Sequence, residues 1–234
     1  MTEETEFETY LSITPNKFGI YVFDTKNSNN LYEEEFELQS INQNLNDKVL
    51  IKFLEKNIFK IEKLTGKFVK NIYLLIESNN ILNLSIGIKK KNYSNIIKNK
   101  YLQNILTDAK DLFHENYLDY KIMHIIIKNY LVDNIHYSKL KSDLKGDQLC
   151  LELSFLSIRT DLCKQIEKIL ENYQIKVIKY VDKNYLEDVF KASNLQISQM
   201  AHKILNGHNL NEVKIVPKIV KKFGFFEKFF QLFS

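Results

Sequence analysis

Residues 148–181 read QLCLELSFLSIRTDLCKQIEKILENYQIKVIKYV, and this stretch decides the fold class. Leu149, Leu151, Leu153 and Phe155 alternate with Cys150, Glu152 and Ser154, the two-residue period of a strand with one face on a core. The period changes at Thr160, which stands where a helix N-cap is expected. Leu162, Ile166, Ile169 and Tyr173 then recur at helical spacing, and QIKVIKYV (174–181) returns to a strand. Strand, helix and strand in one uninterrupted run is the signature of an α/β chain.

Working outward toward the N-terminus, KIMHIIIKNYLV (121–132) predicts a further strand, and the stretch 100–115 a helix with Leu102, Ile105, Leu106, Ala109, Leu112 and Phe113 inward. NIYLLIE (71–77) and ILNLSIGI (81–88) flank SNN as a hairpin that Lys89, Lys90 and Lys91 are expected to end. DKVLIKFLEKNIFKIEKLTG predicts a helix from Asp47, its expected N-cap, to Gly66 just past its end. TYLSI (9–13), KFGIYVFD (17–24) and LYEEEFELQ (31–39) form a three-stranded meander; Glu33, Glu34 and Glu35 alternate faces there and mark a solvated edge. Toward the C-terminus one helix is expected over 184–206, closed by Asn206 and Gly207, and Pro217 separates it from a phenylalanine-rich tail.

Composition narrows the function classes. The net charge is +4, but Arg159 is the only arginine, so bidentate phosphate recognition has little to work with. No basic stripe carries interleaved aromatics, and no nucleic-acid partner is expected. Cys150 and Cys163 are too few for a disulfide framework and fall on apolar faces. The opening MTEETEFETY is acidic and polar, unlike a secretory signal, and no run is apolar enough to span a bilayer.

Catalytic chemistry is hard to find. His114, His124, His136, His202 and His208 have no partner at metal-ligand spacing, so no metal is expected. With six glycines, the chain has no Walker loop, no G-x-G-x-x-G and no G-x-S-x-G elbow. No catalytic residue, cofactor or enzymatic activity is expected.

The tail is the strongest pattern. Placed at helical spacing over 219–233, Ile219, Phe223, Phe225, Phe226, Phe229, Phe230, Leu232 and Phe233 fill one half of the wheel. Lys221, Gly224, Glu227, Lys228 and Gln231 fill the other, with Lys222 at the margin and Lys214 and Lys218 just upstream. A short helix with aromatics opposite lysines is the pattern of a segment lying in a membrane interface, its cations meeting anionic lipid. The alternatives are packing on the chain's own domain or docking into a partner's groove.

The order of elements, together with the tail, resembles the FtsA family of actin-like bacterial cell-division proteins. YLSITPNKFGIYVFD (10–24) stands where that family has strand, phosphate-contacting turn and strand. LIKFLEKNIFKIEKLTGKFVKNIYLLIESNNILNLSIGI (50–88), LQNILTDAKDLF (102–113), KIMHIIIKNYLVDN (121–134) and the stretch 149–181 are similar to the family's first helix and inserted subdomain 1C. NLQISQMAHKILNGHNLNEVKIV (194–216) is similar to the segment after its second phosphate loop.

The resemblance implies a partial actin-like first lobe with a 1C-like sheet-and-helix insertion plus a C-terminal amphipathic helix. It divides the chain into a 1A remnant (1–78), a 1C-like unit (79–182), a helical remnant (183–212), a linker (213–217) and the membrane helix (218–234). The D-I-G-T-x-K phosphate turn is degenerate: Ser12, Thr14 and Pro15 replace its aspartate, glycine and threonine, and only Lys17 matches. The second loop, D-x-G-x-G-T, is absent from the sequence. The resemblance alone would imply ATP binding; these departures remove it, and what is left implies a non-enzymatic scaffold on the cytoplasmic face of the bacterial inner membrane. Its expected partners are anionic lipid, other cell-division proteins including FtsZ, and further copies of itself. An actin-like pilus-assembly adaptor and a soluble interaction module are the other expectations.

Overall fold

The computed structural model of this chain describes residues 6–38, 45–139 and 144–214. Two sheets organise them. The first is mixed, in the order β3-β2-β1-β4-β9, and the second is antiparallel, in the order β5-β8-β6-β7.

Strands β1 (Phe7–Ile13), β2 (Lys17–Asp24) and β3 (Asn29–Glu37) form the expected meander. Helix α1 (Asp47–Thr65) then crosses one face, and β4 (Asn71–Ile76) enters parallel to β1. Strand β2 is apolar on both faces because both are covered. Phe18, Ile20 and Val22 meet Leu50, Phe53 and Leu54 of α1, whereas Tyr21 and Phe23 meet helices on the other side. Gly19 leaves room for Tyr21, whose hydroxyl a Cβ there would approach to 2.5 Å. The cap of α1 is Asn46, one residue before the expected Asp47. Its backbone is extended and its side chain accepts the Val49 N–H, which leaves Asp47 in the first turn, where a carboxylate favours the helix dipole.

The chain leaves the first sheet at β5 (Leu82–Lys91) and builds the second with α2 (Asn99–Asn116), β6 (Tyr120–Val132), β7 (Ile135–Tyr137) and β8 (Gln148–Arg159). The predicted inward face of β8 and helix α2 meet as expected: Phe113 stacks on Phe155 at 5.1 Å, with Ile105 and Ala109 alongside. Helix α3 (Thr160–Glu171) then packs Cys163, Ile166, Ile169 and Leu170 into the core of the first sheet, and β9 (Lys176–Asp182) pairs parallel with β4. Helices α4 (Lys183–Val189) and α5 (Ile197–Leu205) cover that sheet's opposite face.

The hairpin expected over 71–88 does not form: β4 lies between β1 and β9 in the first sheet, whereas β5 pairs with β8 in the second. Four further expectations are corrected. The single helix over 184–206 is two, because the Ser193 hydroxyl bonds the Phe190 carbonyl and ends α4, and a Gln196–Gln199 capping box opens α5. The cap of α3 is Arg159, not Thr160, whose N–H donates instead to the Asp119 carbonyl. Strand β5 continues through the three lysines, since Lys90 pairs with Asp108 of α2 at 2.8 Å and Tyr101 donates to the Lys91 carbonyl. Strand β7 is additional: Asp133 and Asn134 both take positive φ and turn the chain back on β6.

The two sheets meet at His124 on β6, which is fully buried. The Asp182 N–H at the end of β9 donates to His124 Nε2 (3.0 Å), so Nδ1 is the protonated nitrogen, and it donates to Glu212 (2.8 Å). Tyr185 of α4 donates to the other Glu212 oxygen (2.8 Å). Buried polar groups joined this way are costly to separate. Replacing His124 by alanine is expected to lower unfolding stability by about 3 kcal/mol, since it strands a buried N–H and a carboxylate and opens a cavity. Ile178→Ala, on a half-exposed position of β9, should cost under about 1 kcal/mol, and urea midpoints at unchanged m-value compare the two.

Candidate functional site

Open α/β sheets place ligands beyond the carboxyl ends of their parallel strands. Here β1 and β4 end side by side at Ile13 and Ile76, facing the N-terminus of α1. A crevice of about 150 Å³ lies there, lined by Thr14, Pro15, Asn46, Glu77 and Ser78 among others. It is smaller than the roughly 300–1,000 Å³ of ordinary small-molecule pockets.

The four residues of the degenerate phosphate turn are brought together, but they bond one another or the sheet. The Thr14 N–H donates to the Lys17 carbonyl and the Thr14 hydroxyl oxygen accepts the Lys17 N–H, both at 2.9 Å. Pro15 at the tip has no N–H to offer a phosphate. Ser12 is buried within β1. The Lys17 ammonium reaches across β2 to Glu35 of β3 (2.8 Å), whose other oxygen accepts from Tyr21 (2.5 Å). Burial raises the Glu35 carboxyl, and the bonds from Lys17 and Tyr21 more than reverse this, leaving it below the ordinary glutamate range. The edge glutamates are therefore partnered: Glu34 pairs with Lys56 at 2.7 Å and Glu33 accepts from Asn30.

Beyond β4 the Glu77 carboxylate holds Lys183 at 2.8 Å, and Lys183 also reaches Glu187. The crevice shares Leu45, Ser78, Asn80 and Leu162 with a wider hollow of about 600 Å³ bordered by Tyr120, Arg159, Asp161 and Gln165. Together they make one groove from the ends of β1 and β4 to the start of β6 and the end of β8. Its floor is apolar (Ile13, Phe18, Ile158, Leu162) and its rim is amide and charge, a surface better suited to a polypeptide segment than to a buried small molecule.

The histidines are distributed as parts of the fold. His124 holds the sheet junction, His202 of α5 bonds Glu8 of β1 (2.7 Å), and His208 packs on Phe190. Among the described residues no three His, Cys, Asp or Glu side chains gather as a cation site. Cys163 is buried and burial pushes its thiol up to about 11; Cys150 is half-buried and also raised by burial.

Every membrane-binding residue expected from the tail, from Lys218 to Phe233, lies outside the described residues, as does Pro217. Among the described residues no helix is long and apolar enough to cross a membrane. The structure does describe what precedes the tail. Residues 211–213 lie antiparallel along β6, with Ile127 N–H donating to Asn211 and Val213 N–H to Ile125, each at 2.9 Å. Glu212, between them, turns its carboxylate into the His124 junction. Sequence reasoning passed over Glu212 because a lone glutamate in a polar stretch carries no pattern; only the fold sets it against His124.

No protein-family model matches the chain, and no curated protein matches it. Solved structures do resemble it in overall α/β fold. The PilM-PilN type IV pilus biogenesis complex aligns with a TM-score of 0.48 at 7% identity, over 78% of this chain and 48% of that one. The cytoplasmic domain of EpsL, an inner-membrane component of the Vibrio cholerae type II secretion system, gives 0.41 and 7%, over 77% and 58%. A Bacteroides thetaiotaomicron protein of unknown function with an actin-like ATPase fold gives 0.35 and 14%, over 83% and 59%. The chain spans about half the length of these structures. The likeness concerns fold alone and does not single out FtsA, the family the sequence resembled.

Glu212 gives the junction a pH dependence. Burial raises its carboxyl, but the hydrogen bond from His124, the charge of Lys179 and the Tyr185 hydroxyl outweigh that and hold it below the ordinary glutamate value of 4.5. Its stabilising contribution is therefore complete above about 4.5 and lost as pH falls through the lower folded value. Asp182 acts oppositely: burial raises it, so its ionisation opposes folding. Urea titrations between pH 3 and pH 7 (roughly the span of carboxylate titration) are expected to show an acid loss that Glu212→Gln flattens and Asp182→Asn leaves in place.

Proposed function

We propose that this chain is a non-enzymatic, membrane-peripheral adaptor: the C-terminal stretch lies on an anionic membrane surface and the α/β body holds a protein partner there. The observation that carries the proposal is the segregation of phenylalanines and lysines over 219–233. The fixed position of residues 211–213 supports it, because a membrane segment leaving a clamped root holds the body close to the lipid. Full burial of one phenylalanine stabilises by roughly 1.5–3 kcal/mol and each lysine near an anionic leaflet adds about 1 kcal/mol, so several rings supply the larger, salt-resistant share. Tethering raises the effective concentration of whatever the body binds.

On the same proposal, the groove between Thr14 and Gln165 takes an extended segment of the partner, and the degenerate turn has no nucleotide role. The cytoplasmic face of a bacterial inner membrane is the proposed location and a cell-division complex the proposed setting, with pilus assembly as the alternative outcome of the partner experiment below.

Flotation with vesicles containing phosphatidylglycerol tests the first half. Deleting residues 217–234, or replacing Phe226 and Phe229 by glutamate, is expected to weaken vesicle binding by more than about tenfold while the far-ultraviolet spectrum of the body is unchanged. Equal flotation of the deletion variant would refute the membrane reading. For the second half, millimolar Mg-ATP is expected to leave the melting temperature unmoved, whereas a micromolar site would stabilise by about 4 kcal/mol. Capture of partners from the source cell's extract by the full chain and by Leu162→Glu identifies the setting: division proteins, FtsZ among them, or pilus-assembly proteins, lost in the variant. Capture that survives Leu162→Glu unaltered removes the groove from the proposal.

A further inference from the structure

Two sheets present four edge strands, and three of them are protected in recognisable ways. Strand β3 carries Glu33, Glu34 and Glu35, held in place by Asn30, Lys56 and Lys17. Strand β7 is three residues long. Strand β9 carries Lys176 and Lys179. Charge and brevity are the usual devices that stop an open edge from pairing with another chain.

Strand β5 is the exception. It pairs with β8 along its whole length, and among the described residues nothing pairs with its other side. From Leu82 to Ile88 it has no charge, no proline and no bulge in its pairing with β8. Its alternate residues Leu82, Leu84, Ile86 and Ile88 are half-buried on the core of the second sheet, so the apolar layer stops at an open rim. Gly87 adds a second sign. A Cβ there would meet nothing within 4 Å, and its φ is not positive, so neither packing nor backbone conformation within the chain calls for glycine. A glycine inside a strand without a local reason marks a place where another backbone comes close.

We infer that the free edge of β5 pairs with β5 of a second copy, antiparallel about Ser85, joining the two antiparallel sheets into one. The sequence is self-complementary in this register. Leu84 faces Ile86 of the second copy and Leu82 faces Ile88, so each apolar residue of one rim meets one of the other and the two cores become continuous. Asn83 faces Gly87, which leaves it room while its amide oxygen accepts from Ser154. Lys89, Lys90 and Lys91 fall at the ends of the ladder opposite the neutral Ile81, Asn80 and Asn79, so no lysine faces a lysine. An acidic peptide would find a charge partner only at that lysine end, where Lys90 is already paired with Asp108. The uncharged stretch 82–88 favours a second copy instead. The inference does not depend on the membrane proposal.

Ser85 is the one position that faces itself, which makes the test specific. It is exposed, so neither Ser85→Lys nor Ser85→Glu should disturb the body, and the urea midpoint of each confirms this. Sedimentation equilibrium of the full chain, in detergent below its micelle concentration, is expected to show a dimer. Each variant alone should dissociate about tenfold more readily, because like charges meet at the centre, and an equimolar mixture of the two should restore the dimer as a mixed pair. A monomeric parent chain, or association indifferent to the charge at residue 85, overturns the inference; the latter result would assign self-association to another surface, the C-terminal stretch included.

Discussion

A buried imidazole fixes how the two sheets meet. The first sheet has a helical layer on each face and the second has its own core against α2, while Met123, Ile126, Leu156 and Ile158 of the second sheet pack into the cores of the first. To this apolar contact is added a directional one, a fully buried ring that accepts from the end of β9 and donates to a carboxylate supplied by residues 211–213. A directional, buried bond of this kind tolerates little displacement, because an unpaired N–H or carboxylate in that environment costs more than the bond returns.

Much of the fold was legible because its elements follow simple periods. The alternation of Leu149 to Phe155 and the helical spacing of Leu162 to Ile169 point directly to the cores they occupy. Boundaries were less legible where long-range partners decide them. Lysines 89–91 read as a strand end, yet Asp108 and Tyr101, distant in sequence, keep the strand going. The break between α4 and α5 depends on a serine hydroxyl turning onto a carbonyl three residues back, a choice that periodicity does not record. The sheet order, with β4 between β1 and β9, also has no local signature.

The candidate site was legible in its chemistry and not in its geometry. The substitutions at Ser12, Thr14 and Pro15 are plain in the sequence. That Lys17 would turn away to Glu35 is a property of the meander: the two residues stand on neighbouring strands, Glu35 opposite Gly19 and so diagonal to Lys17. The groove and the Glu212 contact were invisible for the same reason, as each is assembled from segments far apart along the chain. The amphipathic stretch is the reverse case, a pattern complete in the sequence itself.

Glu212 carries a mechanical meaning as well as an electrostatic one. A pull that arrives at residues 211–213 from their carboxyl side enters the globule there. There it meets two main-chain bonds to β6 and one side chain inserted at the seam between the sheets. Tension applied from that end is thus delivered to the seam, where both halves share the load, rather than to a peripheral helix that would peel away first.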